Sequence, residues 1–244
     1  MKIQGNNVFF LILIVLVAGA VGGPVHLCAA QAADRAAGAS EIQAVTKADK
    51  KVLDDLNERY KDAKSITMAV QKNLKLGLLA QEKKSSGHIW ISKGRMRMEL
   101  DGPEKTLLIV NKKNLFAVTY PSAEFKDAPV QVVKADMATK KGRSQNLLSV
   151  LTTGGVLKFF TAPSVQLVPN GEKIFFLQPK SDQVDFKRAQ LRTSKDGKTI
   201  TELKYWDVQD NETDLVFSDV QFGTKIPATQ FNFTPPEKAE YLTL

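Results

Sequence analysis

A long succession of short β-strand patterns, separated by turn residues, is the feature that most constrains how this chain folds. About eleven segments between Ile66 and Val220 show the two-residue alternation or the compact apolar run of a strand. Lys93-Gly94, Asp101-Gly102-Pro103 and Asp196-Gly197 mark turns between them. Because such connections are too short for right-handed crossovers, we predict an antiparallel meander.

Several of these strands are apolar on both faces. In one of them Ile89 and Ile91 point to one side while His88 and Trp90 point to the other. A sheet of this kind must be covered on both faces, and one long helix cannot do that for so many strands. We therefore expect the sheet to curl into a barrel too wide for its own side chains to fill. Such a barrel either holds a helix or leaves an apolar cavity that suits an acyl chain.

Few other elements are predicted. Ser40 to Gln43 fits a capping box, and an apolar stripe from Ile42 continues the helix to about Tyr60. A short helix is predicted within Gly142 to Leu151, and a last short strand at Phe231 to Phe233. The fold class is therefore mainly β.

The N-terminus has the pattern of a cleavable signal peptide covering residues 1–32. Lys2 precedes an apolar run from Val8 to Val21, and Ala30-Gln31-Ala32 offers small residues for cleavage. The run is shorter than the roughly 20 residues that span a bilayer, although an uncleaved anchor is the alternative. We expect residues 33–43 to form a linker, residues 44–244 a single domain, and the protein to be periplasmic.

The only cysteine, Cys28, lies inside the signal peptide. Lipidation there would require a small residue before the cysteine, and Leu27 is bulky. The predicted mature chain thus has no disulfide and no thiol nucleophile. Its formal charge of +8 is scattered among mixed signs, whereas a nucleic-acid binder concentrates its cations in a stripe. The charge therefore favours an ordinary solvated surface, with weak attraction to anionic lipid headgroups as the alternative.

The sequence lacks the usual signs of an enzyme. His88 sits mid-strand without a recognisable nucleophile or orienting acid, so a structural role is favoured. No cluster has metal-ligand spacing, and no Gly-rich loop precedes a helix. The acidic run from Asp207 to Asp214 lacks the spacing of a calcium loop and is typical of a solvated hairpin tip. We predict no catalysis, no cofactor and no metal.

Weaker evidence for an apolar binding surface comes from the strand that contains Met96 and Met98. Met96 and Met98 flank Arg97 on one strand and therefore share a face. Methionine suits surfaces that accept varied apolar partners, although the pair taken alone favours plain core packing. Arg95, Arg97 and Glu99 share the opposite face, where a charged row is usually exposed to solvent.

The order of several segments resembles the LolA family of periplasmic lipoprotein carriers. The segments are Gly87 to Ile91, the turn Lys93-Gly94, Met96 to Met98, Pro103, Leu107 to Asn111, Leu147-Leu148, Phe217 to Val220, Ile226-Pro227 and Phe231 to Pro236. The resemblance extends from Val45 to Glu237. It implies an unclosed antiparallel β-barrel of about eleven strands, with a helical lid enclosing an apolar cavity, as in the LolA and LolB carriers.

The resemblance also implies a function and partners. The protein would take acylated lipoproteins from an inner-membrane ABC-type exporter, shield their acyl chains, and deliver them as a monomer to an outer-membrane acceptor. Two alternatives stay open: a carrier of free lipid or glycolipid on the same fold, and a regulatory module that senses lipoproteins.

Candidate site residues follow from the strand pattern and the resemblance together. Lys93 and Arg97 are expected to hold the lid, although Lys93 stands in a turn that lacks the family's proline. The expected lining of the acyl-chain cavity comprises Met96, Met98, Leu100, Ile89, Ile91, Phe116 and Val118.

Overall fold

The computed structural model describes residues 41–111, 113–136, 159–180 and 186–242. The predicted signal peptide, most of the predicted linker and the predicted short helix within Gly142 to Leu151 lie outside the described residues. Within them the chain forms one sheet of thirteen strands, one α-helix and two short 3-10 helices. The predicted mainly β class is confirmed.

The elements follow one another along the chain with short connections. The helix α1 spans Lys47–Asp62, and the 3-10 helices span Ala123–Phe125 and Ala228–Phe231. The strands are β1 (Ile42–Ala44), β2 (Ile66–Leu76), β3 (Gln81–Ser92), β4 (Arg95–Asp101), β5 (Thr106–Val110), β6 (Asn114–Thr119), β7 (Gln131–Asp136), β8 (Phe160–Leu167), β9 (Lys173–Pro179), β10 (Phe186–Thr193), β11 (Ile200–Asp207), β12 (Glu212–Phe222) and β13 (Glu240–Leu242).

The sheet is a pair of meanders joined side by side. Its spatial order is β1-β8-β9-β10-β11-β12-β2-β3-β4-β5-β6-β7-β13. Every neighbouring pair is antiparallel except β7 and β13, which run parallel. Since β1 and β13 lie at opposite ends of this order, the sheet is unclosed. The prediction of an open antiparallel barrel is confirmed, and β13 adds a parallel edge that it did not include.

Helix α1 begins later than the sequence pattern predicts. Ile42 to Ala44 form β1, which pairs with Ser164 to Gln166 of β8, so a helix from Ser40 is wrong. The capping box belongs to Thr46 and Asp49 instead. The Asp49 backbone N–H donates to Thr46 Oγ1 at 3.2 Å, and the Thr46 N–H donates to the Asp49 carboxylate at 3.1 Å.

The predicted strand at Phe231 to Phe233 is also wrong. Phe231 ends the 3-10 helix that follows Pro227, and its ring is buried under the guanidinium of Arg95, 4.8 Å from the ring centroid. The terminal strand is β13, which begins farther along the chain at Glu240. Proline has no N–H to donate to a ladder, and Pro235 and Pro236 separate the two segments.

Both faces of the sheet are apolar and both are covered, as the sequence predicts. One face, called here the inner face, carries the main core cluster, in which Leu53, Leu56 and Tyr60 of α1 pack against the strands. The opposite, outer face carries a second cluster on β5, β6 and β7, formed by Leu107, Ile109, Val118 and Val132. Phe233 and Ala239 of the C-terminal segment pack against this second cluster.

Candidate functional site: an apolar interior under a helix

The inner face beneath α1 is a continuous apolar surface. Side chains from the helix and from β2, β3, β4, β11 and β12 surround a void of about 10 Å³, which holds one water molecule at most. Its lining residues are Tyr60, Met68, Ile89, Ile91, Met96, Ile200 and Phe217. The packed side chains around this void leave no room for a larger molecule.

Most of the predicted lining residues are brought together by strand register. Ile89 lies opposite Met98, and Ile91 lies opposite Met96, so these four side chains share one face across β3 and β4. Leu100 is on the same face and is 1% exposed. All five belong to the main core cluster.

Phe116 and Val118 lie on the outer face and do not line this interior. Phe116 is opposite Ile109, and Val118 is opposite Leu107, both in the second cluster. The β6 residues that face the interior are Leu115 and its alternate neighbour Ala117. Because β6 is apolar on both faces, its sequence alone could not distinguish the two sets.

The void has four further lining residues that the sequence pattern does not predict, namely Met68, Phe217, Ile200 and Tyr60. The signal was present for two of them. Met68 lies in the alternating pattern that begins at Ile66, and Tyr60 ends the apolar stripe of α1. Phe217 joins the lining only through the pairing of β12 with β2, in which it lies opposite Val70.

The N-terminal end of α1 is held by a partly buried ion pair. Lys173 Nζ of β9 lies 2.6 Å from the carboxylate of Asp49, whose side chain is 5% exposed. Burial raises the pKa of the Asp49 carboxyl, but hydrogen bonds from Lys173 and Thr46 outweigh it, and the pKa is lowered overall. Asp49 is therefore charged at neutral pH and fixes the helix start to the sheet.

The C-terminal half of α1 is held through Tyr60. Its hydroxyl oxygen accepts a hydrogen bond of 3.1 Å from the buried backbone N–H of Ile200. Burial raises the pKa of Tyr60 to about 12, so the hydroxyl stays neutral. The ring meets Phe222 edge to face at 5.3 Å, and Arg59 stacks on the Phe222 ring at 4.3 Å.

Lys93 occupies the tip of the β3–β4 hairpin. Its φ of 49° and the φ of 73° at Gly94 are those of a tight left-handed hairpin turn. The side chain is exposed, and the neighbouring Ser92 hydroxyl donates to the carbonyl of Lys64 at 3.2 Å. The hairpin thus lies beside the C-terminal end of α1, where a cation interacts favourably with the helix dipole.

Arg97 holds a different segment from the one expected. It lies on the outer face, where its guanidinium pairs with Glu99 and donates at 3.3 Å to the carbonyls of both Gln230 and Asn232. Arg97 therefore secures the C-terminal segment and not α1. The charged row of Arg95, Arg97 and Glu99 is half-buried under that segment. The sequence alone favours a row exposed to solvent.

The remaining polar candidates have structural partners. His88 is exposed and stacks on Trp90 at 5.7 Å. The Asp207 carboxylate accepts backbone N–H groups of Gln209 and Asn211, each at 2.9 Å, which confirms the acidic run as a hairpin tip. Within the described ranges no group of three His, Cys, Asp or Glu side chains could hold a metal ion.

None of the described helices is long and apolar enough to cross a bilayer.

Residues 61–234 match the protein family described as "Outer membrane lipoprotein carrier protein LolA". The chain is also similar to an outer-membrane lipoprotein carrier protein from Chromohalobacter salexigens. That similarity is 23% identity over 159 residues, covering 65% of this chain and 70% of the relative.

The chain also aligns with solved structures that are more distant in sequence. An uncharacterized conserved protein from Thermus thermophilus aligns at 12% identity and a TM-score of 0.48, covering 81% of this chain and 100% of that protein. A LolA superfamily protein from Nitrosomonas europaea aligns at 11% identity and a TM-score of 0.41, covering 75% and 97%.

Proposed function

The chain belongs to the LolA family of outer-membrane lipoprotein carrier proteins, and we propose that it carries acylated lipoproteins across the periplasm with their acyl chains held beneath α1. The observation that carries this proposal is the inner face itself. It is a large apolar surface in an open sheet, and α1 packs on it, held by the Asp49–Lys173 ion pair and by the Tyr60–Ile200 hydrogen bond. A cover of this kind can leave and return while the sheet stays folded.

The energetics of opening suit a carrier. Burial of Leu53, Leu56 and Tyr60 stabilises the closed helix by on the order of 5–9 kcal/mol, at about 1.5–3 kcal/mol for each side chain. Each CH₂ group that an acyl chain buries contributes about 0.8 kcal/mol. Roughly ten buried CH₂ groups therefore offset the displaced helix, and one long acyl chain provides them. The two contributions are therefore of the same order, which permits both loading and release.

The rest of the transport route is proposed from the family. An inner-membrane ABC-type exporter would supply the lipoprotein, an outer-membrane acceptor would receive it, and the carrier would act as a monomer without catalysis. Residues 1–32 would direct export as a signal peptide, residues 33–43 would link, and residues 44–244 would form the carrier domain. Lys93, beside the end of α1, would help the helix to close.

A release assay tests this function. Spheroplasts that display labelled lipoproteins on the inner membrane are incubated with the purified mature protein, and the supernatant is assayed for a soluble complex. Wild-type protein should release lipoprotein. Met96→Glu places a charge on the inner face, where Met96 is 1% exposed, and should abolish release.

A matched control separates the inner face from general damage. Val216 lies on the outer side of β12 and is 43% exposed, so Val216→Glu adds the same charge without touching the interior. It should release lipoprotein as the wild type does. Failure of the wild type to release any lipoprotein, while acyl lipid copurifies with it, would replace this function with transport of free lipid.

A further inference from the structure

A lysine faces inward at the far end of the apolar interior. The side chains of β2 alternate, and Ile66, Met68 and Val70 all point into the main core. Lys72 is the next residue of that series. Its register opposite Leu215 of β12, which is 1% exposed, places it on the same inner face.

A second lysine accompanies it across the strand pair. Lys83 of β3 lies opposite Leu74, and Ser85 lies opposite Lys72, so both share the inner face with Lys72. Lys83 has a loose ion pair with Glu104, at 3.7 Å between partly exposed side chains. Within the described part of the chain no carboxylate pairs with Lys72, which is half-buried.

An inward lysine of this kind is costly without a partner. Burial lowers the pKa of the Lys72 ammonium, and repulsion from Lys83 lowers it further. Its neighbours on the inner face are apolar: Val70 lies two residues before it and Leu215 lies opposite it. A lysine on a solvated face would not carry this desolvation cost. An anion beside the ammonium would offset both unfavourable effects by pairing with the charge.

We propose that Lys72, with Lys83 beside it, binds the anionic headgroup of an amphiphile whose acyl chain lies along the inner face. The inward side chains of β2 are apolar from Ile66 to Val70, and the distance along the strand from Ile66 to Lys72 is about 20 Å. An acyl chain can extend along this length. A carboxylate or a phosphate would both satisfy the ammonium by charge-assisted hydrogen bonds. The proposal rests on the proposed function in one respect, namely that acyl chains enter the interior.

The test compares amphiphiles that differ only in the head. A fluorescent long-chain alcohol reports occupancy of the interior, and hexadecanol, hexadecanoate and hexadecanoyl lysophosphatidate compete with it. Wild-type protein should bind the anionic competitors at least about tenfold more tightly than hexadecanol, the effect of one charge-assisted hydrogen bond. The better anionic competitor identifies the headgroup as a carboxylate or a phosphate.

Variants assign the preference to Lys72. Lys72→Met should remove the tenfold preference and leave hexadecanol binding unchanged, and Lys72→Arg should retain it. Lys134→Met, which removes an exposed outer lysine, should behave as the wild type. The melting temperature of ligand-free Lys72→Met should not fall below that of the wild type, because the substitution removes a half-buried, unpaired charge.

The outcomes distinguish two failures. Equal binding of neutral and anionic competitors, or an unchanged preference in Lys72→Met, overturns the headgroup site and leaves the carrier function intact. No binding of any of the amphiphiles, including the fluorescent alcohol, overturns the headgroup site and the proposed function together.

Discussion

Tyr60→Phe is the substitution that tests most cleanly whether α1 opens. The change removes one oxygen and keeps the ring, so packing against Phe222 and the void lining is preserved. In the wild type the buried N–H of Ile200 donates to the Tyr60 hydroxyl at 3.1 Å, and in the variant this N–H has lost its acceptor. An unsatisfied buried donor costs about 1–3 kcal/mol.

This cost falls on the closed state alone. When α1 leaves, water reaches the Ile200 N–H in both proteins, so the open state is unaffected. A change of about 1–3 kcal/mol raises the open-to-closed ratio by about 5–150-fold. Uptake of a fluorescent acyl probe, followed by stopped flow, should accelerate by up to that factor. The melting temperature should fall by about 2–4 °C for each kcal/mol.

A second tyrosine provides the control. Tyr205 lies on β11, where its ring meets Phe186 at 5.0 Å and its hydroxyl pairs with Thr213. Tyr205→Phe should also lower the melting temperature but should not speed uptake, because no lid contact is lost. If Tyr60→Phe lowers the melting temperature and uptake keeps the wild-type rate, α1 is a fixed part of the core and the gating argument is refuted.

Three further predictions concern the elements that flank the interior. Lys173→Met leaves Asp49 buried and unpaired, and should destabilise the protein by about 1–3 kcal/mol at neutral pH, measured by chemical denaturation. Because the pKa of Asp49 is lowered in the folded protein from 3.8, this contribution is complete above about pH 4 and is lost as pH falls through the folded value, so the difference between variant and wild type should shrink in acid. Gly197→Ala should lower the free energy of unfolding more than Gly94→Ala. Both glycines have positive φ, but only the new Cβ at position 197 lies 2.9 Å from a side chain of α1, that of Val52. Equal losses of stability would contradict this contact. Phe231→Ala should lower the free energy of unfolding by about 3–5 kcal/mol. In limited proteolysis the C-terminal segment should be cleaved before α1. Simultaneous cleavage of the C-terminal segment and α1 would contradict their placement on opposite faces of the sheet.

The local pattern of the sequence is sufficient to predict the strands of the two meanders. The alternation at Ile66, Met68 and Val70 and the turns at Lys93-Gly94 and Asp196-Gly197 all appear where expected. Period and turn chemistry are local properties, so they can be read without knowing the partner strand. The two edge strands, β1 and β13, are short and escape prediction because their existence depends on long-range pairing with β8 and β7.

The site is predictable only in part for a related reason. Alternation divides β6 into two sets of side chains but does not say which set faces α1, and the assignment of Phe116 to the interior is wrong. Arg97 is expected at the lid because the resemblance concerns residue type and order. Its actual partners, the carbonyls of Gln230 and Asn232, are far away in the sequence and become visible only in the fold.

The most direct test of the central claim is a photocrosslink between an acyl chain and the inner face. A benzophenone side chain replaces Phe217, which lines the void, and in a matched variant replaces Phe116 on the outer face. Each purified variant is loaded with a lipoprotein, or with a delipidated form of the same protein, and irradiated. We expect a crosslinked complex from position 217 with the acylated form alone and none from position 116. Crosslinking at 116 but not at 217, or equal crosslinking of the delipidated form, would contradict transport of acyl chains beneath α1.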